Sequence, residues 1–306
     1  VYAADPPALL SGYNLTSWTQ KDGLTNALIW SVEQDAVGYL WLGTDAGALR
    51  FDGVRFVPWE ALAPVPAPSV SVRTIATARD GAVWFGLGEP GGIVVLQGAR
   101  VRTFGVADGL PEGVVMSLTE DRQGAMWAAG RFGVVRFDGR SWHHDDAGLG
   151  NGLVNTIQAE ADLLLAGTIA GVFQRRQTDT AWSRLGTFTD TARSIASDAA
   201  GHLWVADPIV GLRAIEDARD QPALRLKGRG SWLMRDTRGN LWVGTGGQGL
   251  FRLRATDSAG VIPLPVERTS TGTGLSDDGV TDLEEDREGN LWVATRDGLN
   301  RLTPHR

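Results

Sequence analysis

One short pattern recurs along the chain and constrains its fold more than any other feature. Its anchor is a tryptophan with a glycine three positions before it and small residues after it, as in Gly38-Tyr39-Leu40-Trp41-Leu42-Gly43-Thr44. The anchors, with leucine in place of tryptophan at the fourth, are Trp41, Trp84, Trp127, Leu165, Trp204, Trp242 and Trp292. Successive anchors are about 42 residues apart on average, a period typical of β-propeller blades.

Each repeat unit contains four short apolar stretches, which we name strands a to d. In the first unit they are predicted at 28–34, 39–44, 47–51 and 54–59. Asp35 followed by Gly38 suits a type I turn between strands a and b, and Asp52-Gly53 suits a hairpin between strands c and d. Four antiparallel strands in each of seven units predict an all-β chain folded as a seven-bladed β-propeller.

The two ends of the chain predict how the last blade is completed. The seventh unit stops after its strand c, near 298–302, whereas a segment like strand d lies at 13–19. We expect this N-terminal strand to complete the last blade, which closes the ring and removes an open sheet edge.

The predicted organisation is a single propeller over 13–303 with a tail over 304–306. The leader over 1–12 begins with small residues spaced like the end of a signal peptide, with cleavage after Ala3. This spacing favours an exported protein.

Composition excludes several classes of function. The chain has no cysteine, so disulfides, thiolate metal sites and cysteine nucleophiles are excluded. Its 29 basic and 36 acidic residues give a net charge of −7 without a basic run, which disfavours a nucleic-acid partner. No apolar stretch approaches the ~18 residues that a membrane-spanning helix needs.

The repeat unit resembles the two-component regulator propeller repeat. The matching motifs in the first unit are Asp22-Gly23-Leu24, Asp35 to Gly38, Leu40 to Thr44, and Phe51-Asp52-Gly53. The resemblance extends over essentially the whole chain and is weakest in blades 2, 4 and 5. Members of this family are extracytoplasmic sensor regions of bacterial membrane-bound signalling proteins.

The resemblance implies a periplasmic or extracellular domain that binds a ligand and does not catalyse a reaction. The intact protein would be a two-component-type or cyclic-dinucleotide signalling receptor, with a transmembrane segment and a cytoplasmic output domain outside this chain. Dimerisation of such a receptor is compatible with the resemblance. We expect no cofactor and no metal ion.

The predicted ligand site lies on the face of the propeller that carries the b–c and d–a connections. Trp30, Trp232 and Phe132 should supply apolar area there, because they fall outside the apolar pattern of the repeat. The residues predicted to form the site are Trp30, Asp45, Arg131, Phe132, Asp207, Trp232, Gln248, Arg296 and Asp297. Acidic groups outnumber arginines on this rim, which suits a neutral polyol, such as a carbohydrate fragment, or a cation better than a polyanion.

The placement of histidine bears on catalysis. His143, His144, His202 and His305 all fall outside the predicted rim, and general acid–base catalysis usually needs histidine, a tuned carboxylate, lysine or tyrosine. The adjacent Asp277 and Asp278 could bind a divalent cation or act on a glycoside, although neighbouring loop carboxylates are more often solvated.

These observations favour a binding domain over an enzyme. The main alternative is a propeller lyase or hydrolase acting on a carbohydrate or a macrocyclic lactone, because the fold alone does not choose between the two. A protein-interaction scaffold is a further alternative that the sequence does not separate from sensing.

Overall fold

The computed structural model describes residues 8–25, 28–62, 71–150, 152–209, 211–215, 224–225, 230–254 and 266–305. The chain divides into two compact units. Ile29–Ala192 carries blades 1 to 4, and Val1–Leu28 together with Arg193–Arg306 carries blades 5 to 7.

The strands follow the predicted repeat. The first two are β1 (Ala8–Leu9) and β2 (Tyr13–Trp18). Blades 1 and 2 contain β3 (Ile29–Gln34), β4 (Leu40–Thr44), β5 (Gly47–Phe51), β6 (Phe56–Pro58), β7 (Val72–Thr77), β8 (Val83–Leu87), β9 (Ile93–Gln97) and β10 (Arg100–Phe104). Blades 3 and 4 contain β11 (Val115–Glu120), β12 (Met126–Gly130), β13 (Gly133–Phe137), β14 (Trp142–His144), β15 (Val154–Glu160), β16 (Leu163–Thr168), β17 (Gly171–Arg176) and β18 (Ser183–Arg184).

The second unit continues the pattern. Blades 5 and 6 contain β19 (Ser194–Ser197), β20 (Leu203–Asp207), β21 (Gly211–Ala214), β22 (Leu224–Arg225), β23 (Gly230–Arg235), β24 (Leu241–Thr245), β25 (Leu250–Leu253) and β26 (Glu267–Thr269). Blade 7 contains β27 (Val280–Glu285), β28 (Leu291–Thr295) and β29 (Leu299–Pro304). Among the described residues the helical elements are short 3-10 turns at Gln20–Asp22, Trp59–Ala61, Val106–Asp108 and Thr271–Thr273.

The last blade is completed as the sequence predicts. β2 pairs antiparallel with β29 over six residue pairs, from Tyr13 opposite Pro304 to Trp18 opposite Leu299. The strand order of this blade is β2-β29-β28-β27. The N-terminal strand therefore supplies the missing strand d and covers the edge of the seventh sheet.

Part of the predicted leader is itself a strand. β1 pairs in parallel with β26 and becomes the fifth strand of blade 6. The chain is held there by Ser11, whose hydroxyl donates to Glu267 Oε1 at 2.8 Å and whose carbonyl accepts from Arg252. The sequence did not indicate this contact, because two residues are too short for a period-2 pattern.

The anchor tryptophans are core residues, as predicted. The side chain of Trp41 is 2% exposed and that of Trp242 is fully buried. Strand b, which carries the anchor, is buried along its whole length in blades 1, 2, 3, 5, 6 and 7. Three tryptophans in or beside the outermost strands, Trp59, Trp142 and Trp182, are buried and also belong to the core.

A buried aspartate secures the anchor in five of the blades. Its carboxylate accepts the indole N–H of the tryptophan six positions later, at 2.7 to 2.9 Å. The pairs are Asp35–Trp41, Asp121–Trp127, Asp198–Trp204, Asp236–Trp242 and Asp286–Trp292. The same carboxylates also accept backbone N–H groups of the a–b turn. The aspartate therefore joins the turn to the core.

Blades 2 and 4 lack this arrangement. Blade 2 has Ala78 at the aspartate position, and the buried indole nitrogen of Trp84 has no hydrogen-bond partner among the described residues. Blade 4 has Leu165 in the anchor position, and its a–b turn is contracted to Ala161-Asp162, with Ala161 at a φ of 52°.

Candidate functional site

A β-bulge recurs at the beginning of strand a. In six blades the pairing of strand a with strand b skips the second residue of the described strand. The skipped residues are Trp30, Arg73, Met116, Asn155, Ser231 and Thr281. A bulged residue leaves the ladder and its side chain is re-aimed, a device often found next to functional sites.

The bulge is at the end of the blade that carries the b–c connection. In blade 1, Ile29 lies opposite Thr44, the last residue of strand b, and Asp45 follows directly. Trp30 is half-buried, and its indole Nε1–H donates to Asp45 Oδ1 at 2.6 Å. Two residues predicted for the ligand site are therefore brought into direct contact.

Arg73 completes this cluster. It occupies the bulge position of blade 2, as Trp30 does in blade 1. Its guanidinium carbon lies 3.5 Å from the centroid of the Trp30 ring, a cation–π contact. We name Trp30, Asp45 and Arg73 the bulge cluster. The sequence analysis missed Arg73. An alignment of the repeats would have identified it, because Val72 and Arg73 stand where Ile29 and Trp30 stand in blade 1.

The electrostatics of the bulge cluster set Arg73 apart. Burial lowers the pKa of its guanidinium, and the Asp45 carboxylate opposes that shift. Arg73 makes no hydrogen bond or ion pair with any residue that the structure describes. A half-buried cation is thus placed against an aromatic face with its N–H donors unused.

Arg131 and Phe132 lie where predicted, in the b–c connection of blade 3 between β12 and β13. Arg131 is exposed. Phe132 is half-buried and packs against the apolar core that includes Trp84, Leu118 and Met126. The phenyl ring therefore contributes to packing as well as to the surface.

Trp232 differs from Trp30 although both lie near the start of strand a. It is one position beyond the bulge and pairs with Gly244, where Ser31 pairs with Gly43 in blade 1. Its side chain packs against a core cluster with Trp242, Leu250 and Val280. Trp232 therefore occupies a different position of the repeat from Trp30, because the bulge changes the register by one residue. Its assignment to the ligand site stays a prediction.

Asp207 was expected in an exposed loop but is the last residue of β20 and only 1% exposed. Its carboxylate accepts from Arg213 Nε at 2.8 Å and from the backbone N–H of Ile209 at 2.7 Å. Its place in the repeat explains this, since Asp207 stands where Thr44, Thr168, Thr245 and Thr295 end strand b. These threonines close the b–c turn by donating to a backbone carbonyl.

The other three predicted residues lie in b–c connections of the second unit. Gln248 is half-buried, and its backbone N–H and carbonyl bond to Thr245 and Arg268. Arg296 and Asp297 are exposed, and the backbone N–H of Arg296 donates to Gly279 at 3.1 Å. Their assignment to a ligand site stays a prediction.

The carboxylate pair at Asp277 and Asp278 is engaged in local structure. Asp278 accepts from the backbone N–H of Thr271 at 2.7 Å, and Asp277 accepts from that of Gly279 at 2.7 Å. Within the described residues, no group of three or more His, Asp or Glu side chains could hold a metal ion.

The histidines do not belong to strand a or to a b–c connection. His143 contacts Asp138 and Ser141, and His144 lies beside it in β14, the outermost strand of blade 3. His202 contacts Asp198 in an a–b turn. His305 contacts Asn14 beside the closing strand.

The seven sheets, each with four antiparallel strands, define the protein as a seven-bladed β-propeller. The part of the chain that the structure describes holds no helix with the length and apolarity needed to span a membrane. The family model for the two component regulator propeller matches residues 274–297, which include the a–b turn and anchor tryptophan of blade 7. This match confirms the resemblance that the repeats indicate.

Solved structures of two kinds share the fold. The extracellular domain of a hybrid two component system from B. thetaiotaomicron aligns with a TM-score of 0.76 and 18% identity, over 95% of this chain and 42% of that chain. A second such domain from the same organism aligns with a TM-score of 0.74 and 17% identity, over 98% of this chain and 39% of that chain. This chain thus spans less than half the length of either extracellular domain.

The second kind is an enzyme. Virginiamycin B lyase from Staphylococcus aureus aligns with a TM-score of 0.73 and 14% identity, over 95% of this chain and 99% of that chain. No curated protein matches the sequence. At these identities the structural likeness shows the fold, and function depends on the site.

Proposed function

We propose that this chain is the ligand-binding sensor domain of a bacterial two-component-type or cyclic-dinucleotide signalling receptor, and that it does not catalyse a reaction. In this proposal the domain is periplasmic or extracellular, and transmembrane and output domains belong to the intact receptor. The matched regulator repeat and the two extracellular sensor domains with the same fold support this assignment.

The bulge cluster is the observation that carries the proposal. Trp30 and Arg73 occupy a position that varies from blade to blade, so the repeat itself does not require either residue. An aromatic ring beside polar groups on a propeller face is the usual make-up of a small-molecule site. The proposed ligand is a small nutrient such as a carbohydrate fragment.

Ligand binding can be tested on the purified chain by calorimetry with a panel of mono- and oligosaccharides. Trp30→Ala should weaken the binding of any sugar ligand about tenfold, because the stacking surface is lost. Val54→Ala is the matched control, since Val54 is an apolar side chain that is 75% exposed at the c–d end of the same blade. Equal affinities in the two variants would remove the bulge cluster from the site.

The lyase alternative needs a catalytic group that the bulge cluster lacks. A histidine-to-alanine variant of the S. aureus lyase is catalytically inactive, and its crystal structure contains quinupristin. In this chain His143, His144 and His202 contact Asp138, Asp146 and Asp198, and none of these residues belongs to a strand a or to a b–c connection. This placement supports the sensor over the lyase.

Catalysis can be tested by incubating the chain with quinupristin, with and without Mg²⁺, and analysing the mixture by mass spectrometry. We expect the macrocycle to stay intact in both samples. Turnover that disappears in Asp45→Asn would establish the enzyme alternative instead.

A further inference from the structure

Arg73 carries unused hydrogen-bonding capacity at the candidate site. A guanidinium has five N–H donors and no acceptor, and none of those of Arg73 bonds to a described residue. Half-buried polar groups without partners are unfavourable, because hydration is lost and no protein hydrogen bond replaces it. Since no described residue supplies an acceptor, the Arg73 donors can bind one on a ligand.

The contact with Trp30 holds the Arg73 guanidinium in place. At 3.5 Å from the ring centroid, the guanidinium lies against the indole and is held by a cation–π contact. Trp30 is fixed in turn, because its own N–H donates to Asp45 at 2.6 Å. This chain of contacts preorganises Arg73 before a ligand arrives, which lowers the entropic cost of binding.

Asp45 does not satisfy Arg73 itself. One of its oxygens accepts from Trp30, and the two charged groups form no ion pair. The carboxylate is exposed, so water screens its repulsion of a second anion more than it would in the interior. Arg73 is therefore a partly desolvated cation whose guanidinium can bind an acceptor on a ligand.

We propose that Arg73, stacked on Trp30, is a specificity-determining residue that binds a single carboxylate on the ligand, as in a uronic acid. The planar fork of a guanidinium matches the two oxygens of a carboxylate in a bidentate pair. The acidic rim still disfavours a polyanion, whereas a single carboxylate matches the single guanidinium of the bulge cluster. This inference rests on the proposed function and narrows its ligand class.

The test compares D-glucuronate with D-glucose, which differ in the carboxylate. Binding is followed by NMR through the indole N–H resonance of Trp30, which Trp30→Phe identifies among the 12 tryptophans. Glucuronate should shift this resonance with saturation and glucose should bind at least about tenfold more weakly, because charge-assisted hydrogen bonds are strong. Salt should weaken the binding of glucuronate and leave that of glucose unchanged.

Variants separate recognition from packing. Arg73→Gln should remove the preference for glucuronate, and Arg73→Lys should retain part of it, because lysine keeps the charge without the planar fork. Arg140→Gln is the matched control, since it removes an exposed arginine from the c–d turn of blade 3. A merely structural Arg73 would change the melting temperature but not the ratio of the two affinities.

The outcomes are distinct. If glucose and glucuronate bind equally at Trp30, or if Arg73→Gln keeps the preference, the carboxylate proposal falls and the sensor proposal stands. If neither sugar, nor any member of the saccharide panel, shifts a resonance of the bulge cluster, both proposals fall.

Discussion

At the a–b end of blade 3, Asp121 accepts hydrogen bonds from the backbone of Gln123 and Ala125 and from the Trp127 indole, at 2.8 to 2.9 Å. At the b–c end of blades 1 and 2, Arg73 lies on Trp30, and its guanidinium bonds to no residue that the structure describes. The first arrangement is saturated and recurs in five blades, whereas the second occupies a position where the residue changes from blade to blade.

The difference separates stability from recognition. A saturated, buried hydrogen-bond network fixes one conformation and leaves no group for a ligand. An unsaturated group on a rigid scaffold can bind one, at little cost to the fold. We therefore expect substitutions at the a–b end to change the free energy of unfolding, and substitutions at the bulge to change ligand binding.

The largest effect should follow Asp121→Ala. Asp121 is 4% exposed, and its loss leaves the Trp127 N–H and two turn N–H groups without their acceptor. We expect a loss of about 2–4 kcal/mol in the free energy of unfolding, measured by urea denaturation. Asp162→Ala is the control, because its exposed pair with Arg122 should contribute about 0–1 kcal/mol. Similar losses in both variants would contradict the role of the buried network.

Blade 2 offers a natural contrast for the indole bond. The Trp127 indole N–H donates to Asp121, whereas the buried Trp84 indole nitrogen bonds to no residue in the described part of the chain. Trp127→Phe should therefore destabilise the chain by about 1–2 kcal/mol more than Trp84→Phe, since only the first leaves a buried acceptor unpaired. Equal losses of unfolding free energy in the two variants, measured by thermal and urea unfolding, would show that the buried apolar area alone determines the effect.

The missing aspartate of blade 2 can be restored. Ala78 makes the same backbone hydrogen bonds in its turn as Asp121. Its N–H donates to the Ala82 carbonyl, and its carbonyl accepts from the Gly81 N–H. Ala78→Asp should raise the free energy of unfolding by about 1 kcal/mol, because the new carboxylate can accept the Trp84 indole N–H. Ala78→Leu, which supplies bulk without an acceptor, is the control. A gain in the leucine variant alone would contradict the hydrogen-bond account.

The exposed c–d turn should give the smallest effect on stability. The backbone N–H groups of Ser141 and Arg140, with His143, lower the pKa of Asp138 to about 2. Because the pKa is depressed in the folded chain, the contribution is present above about pH 4 and is lost as the pH falls through about 2. The melting-temperature difference between the wild-type chain and Asp138→Asn should shrink over this range. A constant difference from pH 5 to pH 2 would contradict this assignment.

The fold could be predicted from the sequence because its determinants are periodic. The anchor tryptophans, the turns with aspartate and glycine, and the N-terminal strand each repeat or complete a pattern. The hydrogen bond from the indole N–H to the aspartate was not predicted. The turn pattern predicts the backbone conformation, and it does not indicate which group the second carboxylate oxygen bonds to.

The candidate site was predicted less completely. Trp30 and Asp45 were identified, and the structure brings them into contact. Arg73 was missed because the sequence analysis considered aromatic residues and loop residues and did not compare the bulge position between blades. Trp232 lies one residue beyond the bulge, a difference that the apolar pattern alone does not show. Asp207 was assigned to a loop, because an acidic residue after an apolar strand usually faces solvent. Its partner Arg213 lies six positions later on the next strand, and the sequence pattern did not indicate that contact.

The most direct test measures two variants, Asp121→Ala and Arg73→Gln, for both unfolding free energy and glucuronate affinity. Asp121→Ala should lower the unfolding free energy while the folded fraction binds glucuronate as the wild-type chain does. Arg73→Gln should change the unfolding free energy by less than about 0.5 kcal/mol and weaken glucuronate binding at least about tenfold. If Arg73→Gln destabilises the chain as much as Asp121→Ala and leaves glucuronate binding unchanged, the separation of stability from recognition is contradicted.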